Sequence, residues 1–284
     1  MTSLHYEQQY LDLCNKLLTK GVWINNSRTG KRCLSTETTI FQYDVGAGEF
    51  PLITTRKAFY KMAIAEVIGY WQGLTNANDF VKLGCATWLA NSNKNTSWLN
   101  NPNRKGDGDM GNVYGYFGHN FGGVNQFEKV YNNLSNGIDD RGEIITYWKP
   151  DQFSEGCLRP CLHSVQFNLL GGILSMTATQ RSCDVPLGLV SNIPQCWIML
   201  YLMARITGHK AGKVTHVINQ PHVYEDQVDL LRLQLNREPI DCKPEIEVCD
   251  SIQTWEDIMN LKNMDKFMLY GYQSHDRIDF PFSE

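Results

Sequence analysis

The run from Ile193 to Ile206 constrains this chain most. It is strongly apolar and long enough to be a buried helix, and Gly208 supplies a stop just beyond it. Strand patterns flank it. Residues 143–149 and 164–181 read as strands, with Ile173, Ser175, Thr177 and Thr179 leaning toward β and Gly171-Gly172 as a hairpin turn. Residues 213–218 read as a further strand and 224–236 as a helix. Upstream, Tyr10, Leu13, Cys14, Leu17 and Leu18 have helical spacing over 6–20, and Ala58, Met62, Ala65, Ile68 and Gly69 share one face over 57–72. Between them, 33–53 alternates like strands and ends at Phe50-Pro51. Strands dominate the middle and helices flank them, so the pattern predicts the α+β class.

A chain of 284 residues with 42% hydrophobic content is long enough for a sizeable core. No internal repeat divides it, and we read residues 1–284 as a single domain. Residues 91–112 are rich in Asn, Ser, Lys, Gly, Asp and Pro, with Trp98 as a lone large apolar anchor, and read as a surface loop or insertion. The tail 270–284 has no period and carries Phe280 and Phe282. It is expected to be mobile without ligand.

The formal charge of -4 gives no global pull toward nucleic acid or a membrane, so an anionic ligand needs local arginines. No apolar run reaches the length of a membrane span, and Met1–Tyr10 lacks the apolar core of a signal peptide. The nine cysteines are irregularly spaced. They complete no zinc pattern and suit the reducing cytoplasm, with mostly inert thiols.

Cys161 stands apart, in Arg159-Pro160-Cys161-Leu162-His163. A thiol reacts as its anion, which nearby positive charge favours, and here an arginine precedes and a histidine follows. The bland reading is one more structural cysteine. In Gln180-Arg181-Ser182-Cys183-Asp184-Val185-Pro186-Leu187-Gly188-Leu189, an arginine followed by a serine suits a phosphate, and Asp184 suits a ring N–H. The same residues would serve as an ordinary polar turn. Asn192 reads either as a helix cap or as an amide that pairs a donor and an acceptor on one ligand edge. His222 and Tyr224, two apart, face one way in a strand. They form a sugar-hydroxyl clamp or a satisfied pair at a sheet end.

Taken in order, these motifs resemble the thymidylate synthase family, which includes the phage deoxypyrimidylate hydroxymethylases. The resemblance runs from Gln9-Tyr10-Leu11 to the C-terminus. Its most specific stretch is QRSCDVPLGL with Asn192 following. RTG at 28–30, FPLITT at 50–55, WQG at 71–73, VYG at 113–115, PC at 160–161 and PHVY at 221–224 support it.

The resemblance implies a twisted mixed sheet backed by helices, dimerising through the sheet. It implies one-carbon transfer from 5,10-methylenetetrahydrofolate to carbon 5 of dUMP, giving dTMP and dihydrofolate, without a metal. Cys161 matches the nucleophile that adds to carbon 6. Arg181, Ser182 and Arg28 match phosphate contacts, and Arg141 matches an arginine lent across a homodimer with shared sites. Asn192 matches the reader of the uracil edge; the family's deoxycytidylate enzyme has an aspartate there. His222 and Tyr224 match contacts to the sugar 3′-hydroxyl. Glu66 matches the acid that organises water and proton transfer, and Tyr114 the tyrosine near the proton leaving carbon 5. Asp184 matches the carboxylate on the pterin ring, with Trp88, Leu158, Leu187 and Gly188 as the folate wall.

The chain departs from the family pattern at Gly142, where a second arginine is usual, and at Leu162, which puts His163 one place late. Val190-Ser191, Gln220 and the Phe282-Ser283-Glu284 ending also differ. These changes surround the folate and the water network. They keep a dUMP hydroxymethylase as the alternative outcome, with a non-catalytic nucleotide- or RNA-binding relic as a reading of another class.

Overall fold

The computed structural model describes residues 5–26 and 30–282. Its centre is a five-stranded sheet. In spatial order the strands are β3 (Thr39–Asp44), β8 (Lys210–Ile218), β6 (Ile173–Gln180), β5 (Leu162–Leu170) and β4 (Ile144–Thr146). The β5–β6 hairpin turns at Gly171 and Gly172, whose φ values of 58° and 78° are left-handed and suit glycine. β6 and β8 run parallel, and parallel neighbours need a long crossover. The apolar run provides it as helix α8 (Val190–Ile206), which packs on β8 and on helix α2 (Tyr60–Trp71).

Alternation sets the two faces of the sheet. Leu174, Met176, Ala178 and Gln180 of β6, with Val214, His216 and Ile218 of β8, point into the core. Ser175, Thr177, Thr179 and Thr215 point to the other face and are only partly buried.

A second sheet joins β1 (Val22–Asn26), β2 (Lys31–Ser35), β9 (Pro221–Tyr224) and β7 (Cys183–Asp184). β7 runs parallel to β9 and sets Asp184 opposite His222. A separate hairpin pairs β10 (Glu245–Val248) with β11 (Phe267–Tyr270). Helices α1 (Tyr6–Lys20), α3 (Ala77–Leu83), α6 (Tyr114–His119), α7 (Gln126–Ser135), α9 (Val228–Leu235) and α10 (Trp255–Met259) complete the layers. The class is the expected α+β, with mixed sheets backed by helices.

Three segments differ in detail from the pattern reading. The 57–72 helix starts only at Tyr60, because the Ala58 N–H is held by the Tyr272 hydroxyl at 2.9 Å. The loop before it is pinned by buried Glu7 of α1, whose carboxylate accepts from Thr54 N, Thr54 Oγ1 and Thr55 N at 2.7, 2.8 and 2.9 Å. Segment 91–112 contains the end of α4 (Trp88–Asn93) and all of α5 (Thr96–Leu99), and it buries Met110 as well as Trp98. Its asparagines act as caps and braces: Asn95 accepts from Trp98 N and donates to the Cys157 carbonyl, and Asn101 donates to that of Ser154. Contrary to the expectation that no apolar run reaches spanning length, one helical stretch among the described residues, Val185–Ile206, is long and apolar enough to cross a membrane, because the turn over Val185–Leu189 runs straight into α8. Most of it is buried in the protein as the core helix.

Candidate active site

Cys161 lies at the entry to β5, half-buried, while most other cysteines are fully covered. Arg181 follows the last residue of the adjacent strand β6. Its N–H donates to the Cys161 carbonyl at 2.9 Å. Its guanidinium donates from Nε to Pro160 O at 2.9 Å and from Nη2 to Arg159 O at 3.0 Å. That fork brings Nη2 to 3.9 Å from Cys161 Sγ. The Trp148 ring lies under it, 5.4 Å from the guanidinium carbon. The positive charge that sequence spacing only suggests is therefore beside the sulfur, and it comes from Arg181. His163 is held neutral more firmly than usual, its pKa lowered by burial and by the charge of Arg181.

Tyr114, first residue of α6, reaches the same point. Its phenolic oxygen accepts from Cys161 N at 2.7 Å and Leu162 N at 3.3 Å. Burial pushes its pKa well up, so it stays a neutral phenol. Its ring stacks on Tyr70 at 4.6 Å and meets Trp88 edge-on at 5.9 Å. Tyr70 donates to Glu66, one helical turn away on α2, at 2.7 Å. Burial raises the Glu66 carboxyl above its ordinary pKa, with the Tyr70 and Gln195 hydrogen bonds opposing the shift.

Asn192 is not a helix cap. A π turn over Val185–Leu189 runs directly into α8, so Asn192 is already inside the helix. Its Oδ1 accepts from Gln180 Nε2 at 3.0 Å and its Nδ2 donates to Gln195 Oε1 at 2.9 Å. Asp184 caps the π turn by accepting from Leu187 N at 3.1 Å, and it also accepts from Gln227 Nε2 at 3.0 Å. Burial raises its pKa too. Next to it in the sheet, His222 and Tyr224 face one way with ring centroids 5.2 Å apart. His222 Nδ1 donates to the Gln220 carbonyl at 3.0 Å, which leaves Nε2 as the acceptor nitrogen.

Contacts thus join Cys161, Arg181 and Tyr114, and link Tyr114 to Glu66 and Trp88. Asn192 joins through Gln195, and Asp184 brings in His222 and Tyr224. Ser182 follows Arg181, partly buried; Leu158 and Leu187 pack partly buried on the core. Gly188 lies close to Asn192, where a Cβ would sit 3.4 Å from Oδ1. Arg141 is exposed on the turn before β4, with a left-handed φ of 68°. Arg28 lies outside the described residues.

Sequence reasoning missed Gln180, Gln195, His216, Tyr70, Gln227 and Arg56. Two of them left a trace. Gln195 is three residues after Asn192 on a helix, and His216 is a polar residue at an inward position of a strand.

The sequence model described as thymidylate synthase matches residues 8–284. The thymidylate synthase of Psychromonas ingrahamii is 53% identical over 282 residues, spanning 97% of this chain and 99% of its own length. Those of Pasteurella multocida and Shewanella halifaxensis are 52% and 51% identical over the same shares. The chain belongs to the thymidylate synthase family. It is a methyltransferase for which dUMP is the substrate and 5,10-methylenetetrahydrofolate the cosubstrate. Relatives at this identity carry the synthase name, so the hydroxymethylase outcome is not favoured. No group of three or more His, Cys, Asp or Glu side chains suited to a metal occurs among the described residues.

The residues fit a flat folate ring. The buried Trp88 indole lies beside the rings of Tyr70 and Tyr114, with its N–H close enough to Glu66 to oppose the rise of that carboxyl's pKa. Asp184 offers a largely buried carboxyl to a ring N–H.

Proposed function

We propose that the Cys161 cluster carries out the thymidylate synthase reaction, with the residues of this chain dividing the work as follows. The observation that carries the reading is Arg181 Nη2 at 3.9 Å from Cys161 Sγ, held there by two carbonyls. A fixed guanidinium stabilises the sulfur anion that adds to carbon 6 of dUMP. With Ser182 and Arg28, Arg181 also holds the phosphate. Asn192 reads the uracil edge, and His222 Nε2 and Tyr224 take the sugar 3′-hydroxyl. Tyr114 and Glu66, joined through Tyr70, handle the proton that leaves carbon 5. Bound methylenetetrahydrofolate supplies the one-carbon unit and then a hydride. Trp88, Leu158, Leu187, Gly188 and Asp184 hold it, and the tail excludes water from it.

We read the working form as a homodimer. The outer face of the central sheet is only partly buried in one chain, and Arg141 stands exposed on a turn at its edge strand. A second copy packed on that face would complete each phosphate site with the Arg141 of its neighbour. The nine thiols favour a reducing compartment, the cytoplasm.

Incubating the protein with dUMP and methylenetetrahydrofolate tests this reading. Dihydrofolate formation with a methylated product by mass, lost in Cys161→Ala, is the expected result. A product heavier by one oxygen would replace methyl transfer with hydroxymethyl transfer.

A further inference from the structure

A line of hydrogen bonds crosses the core beneath Asn192. Tyr43 Oη lies 3.0 Å from His216 Nδ1, and His216 Nε2 lies 2.6 Å from Gln180 Oε1. Gln180 Nε2 donates to Asn192 Oδ1 at 3.0 Å, and Asn192 Nδ2 to Gln195 Oε1 at 2.9 Å. Gln195 Nε2 donates to Glu66 Oε2 at 2.6 Å, and Tyr70 closes the line on Glu66 Oε1 at 2.7 Å. The line runs from strands β3, β8 and β6 into helices α8 and α2.

The ends fix its direction. Glu66 accepts on both oxygens, from Tyr70 and from Gln195, so Gln195 turns its NH₂ toward it and its oxygen toward Asn192. Asn192 then turns its NH₂ to Gln195 and its oxygen to Gln180. Gln180 in turn shows its oxygen to His216, whose Nε2 must carry the proton while Nδ1 accepts from Tyr43. Reversing one amide alone sets donor against donor and acceptor against acceptor in a buried place, at a cost well above one lost hydrogen bond. His216 is fully buried, and burial keeps it neutral with its pKa lowered to about 3, so it stays a one-donor, one-acceptor terminus.

The consequence falls on the amide in the site. One lone pair and one N–H of Asn192 are spent inside the line. The other lone pair on Oδ1 meets only the weak Cys183 thiol donor at 3.8 Å, which has the Asp184 carbonyl at 3.7 Å as its alternative acceptor, so a ring N–H can take that place while one N–H on Nδ2 stays available. A uracil edge offers N3–H and O4, the complement of that pair. A cytosine edge offers the reverse. Gly188 keeps the oxygen uncovered, since a Cβ there would approach Oδ1 to 3.4 Å.

We propose that His216 and Gln195 are specificity-determining positioning residues, which lock the Asn192 amide in the orientation that accepts uracil and rejects cytosine. The proposal rests on the reading of Asn192 as the base contact. Neither residue touches the nucleotide; each acts through Asn192.

The test measures dissociation constants for dUMP and dCMP on the full-length wild type, Gln195→Leu, His216→Phe, His216→Gln and Asn192→Asp. The ratio of the two constants is the readout, because a general loss of stability weakens both nucleotides alike. Gln195→Leu and His216→Phe cut the line on opposite sides of Asn192, and each should narrow the dCMP-to-dUMP ratio by about tenfold. His216→Gln keeps a donor for Gln180 and should restore most of the discrimination; if the phenylalanine variant fails to fold, Gln180→Leu cuts the line on the same side of Asn192. Asn192→Asp separates the two levels of the argument. If it leaves the ratio unchanged, the base-contact reading fails. If it shifts the ratio while folded Gln195→Leu and His216→Phe, or Gln180→Leu in its place, keep the wild-type value, the positioning role is overturned on its own.

Discussion

The phenolic oxygen of Tyr114 accepts the backbone N–H of Cys161 at 2.7 Å and that of Leu162 at 3.3 Å, so a helix terminus holds the main chain at the nucleophile. The same ring stacks on Tyr70, which bonds Glu66. Tyr114→Phe removes the acceptor and leaves two N–H groups to find water. We expect kcat to fall on the order of 10²-fold, as for loss of a proton-handling group. Stability should fall by about 1–2 kcal/mol, with dUMP affinity changed only a few-fold. Steady-state kinetics beside a nucleotide titration checks this, and a wild-type kcat would remove Tyr114 from the catalytic set.

Removing the thiol is a harsher change with a cleaner signature. Cys161→Ala should lower turnover by several orders of magnitude, on the scale seen for lost nucleophiles, while dUMP still binds. Arg141→Ala should also be inactive, through a phosphate site in the other subunit. Mixing the two inactive proteins makes heterodimers in which one site has both residues. After free exchange, half the dimers are mixed and half their sites are intact, so about a quarter of wild-type activity should return. No recovery with exchange confirmed by mass would rule out the shared site.

What the sequence made legible follows from how each residue is placed. Cys161, Arg181, Asp184 and Asn192 lie in two short stretches, and their order alone carried the family resemblance. The apolar run at 193–206 declared its own burial, and Gly171-Gly172 its hairpin. Gln180, His216 and Tyr43 were not legible, because they meet only when β3, β8 and β6 align side by side. A polar side chain on an inward strand position signals a buried partner, but it does not name one. The 91–112 segment misled for a related reason. Asparagine and aspartate favour solvated loops, and they also cap short helices and brace turns: here Asn95 caps α5 at Trp98 and Asp109 holds the turn at Gly111.

The buried line gives a pH signature. Burial lowers the His216 pKa from 6.5 to about 3, so the native state binds this proton less readily than the unfolded chain. A depressed histidine contributes stability that is complete above its unfolded pKa and is lost as pH falls through the folded one. Between pH 6.5 and about 3 that loss is on the order of 5 kcal/mol. Glu66, raised by burial, pulls the opposite way over the acid range. Comparison with His216→Gln, which keeps Glu66, isolates the histidine. The urea midpoint of the wild type should drop more steeply below pH 6.5 than that of the variant. Parallel curves would show that His216 is not a buried neutral group.

The C-terminal segment should act through Phe280 more than Phe282. Phe280 packs on the body, 8% exposed, with the Arg56 guanidinium carbon 4.7 Å from its ring centroid, while Phe282 is 50% exposed. Arg56 also donates to the Pro186 carbonyl in the π turn behind Asp184. Gln227 Nε2 donates both to Asp184 Oδ2 at 3.0 Å and to Pro281 O at 3.1 Å. One amide therefore ties the tail to the carboxyl proposed to hold the pterin. A ligand that engages Asp184 bears on the same contacts that dock the tail, so folate binding and closure should be coupled. Deleting residues 280–284 breaks the clasp and leaves the Cys161–Arg181 pair intact. We expect dUMP binding to stay within a few-fold. Turnover should fall on the order of 10²-fold or more, with a hydroxymethyl or thiol-trapped product appearing as water reaches the intermediate. Phe280→Ala should follow the deletion in part, because its loss strips both the ring packing and the arginine contact. Phe282→Ala should be mild. A truncated enzyme that makes the same product at the wild-type rate would mean the docked tail only covers apolar surface. A Phe282→Ala variant as defective as Phe280→Ala would mean the outer ring, half exposed without ligand, is the one that closes.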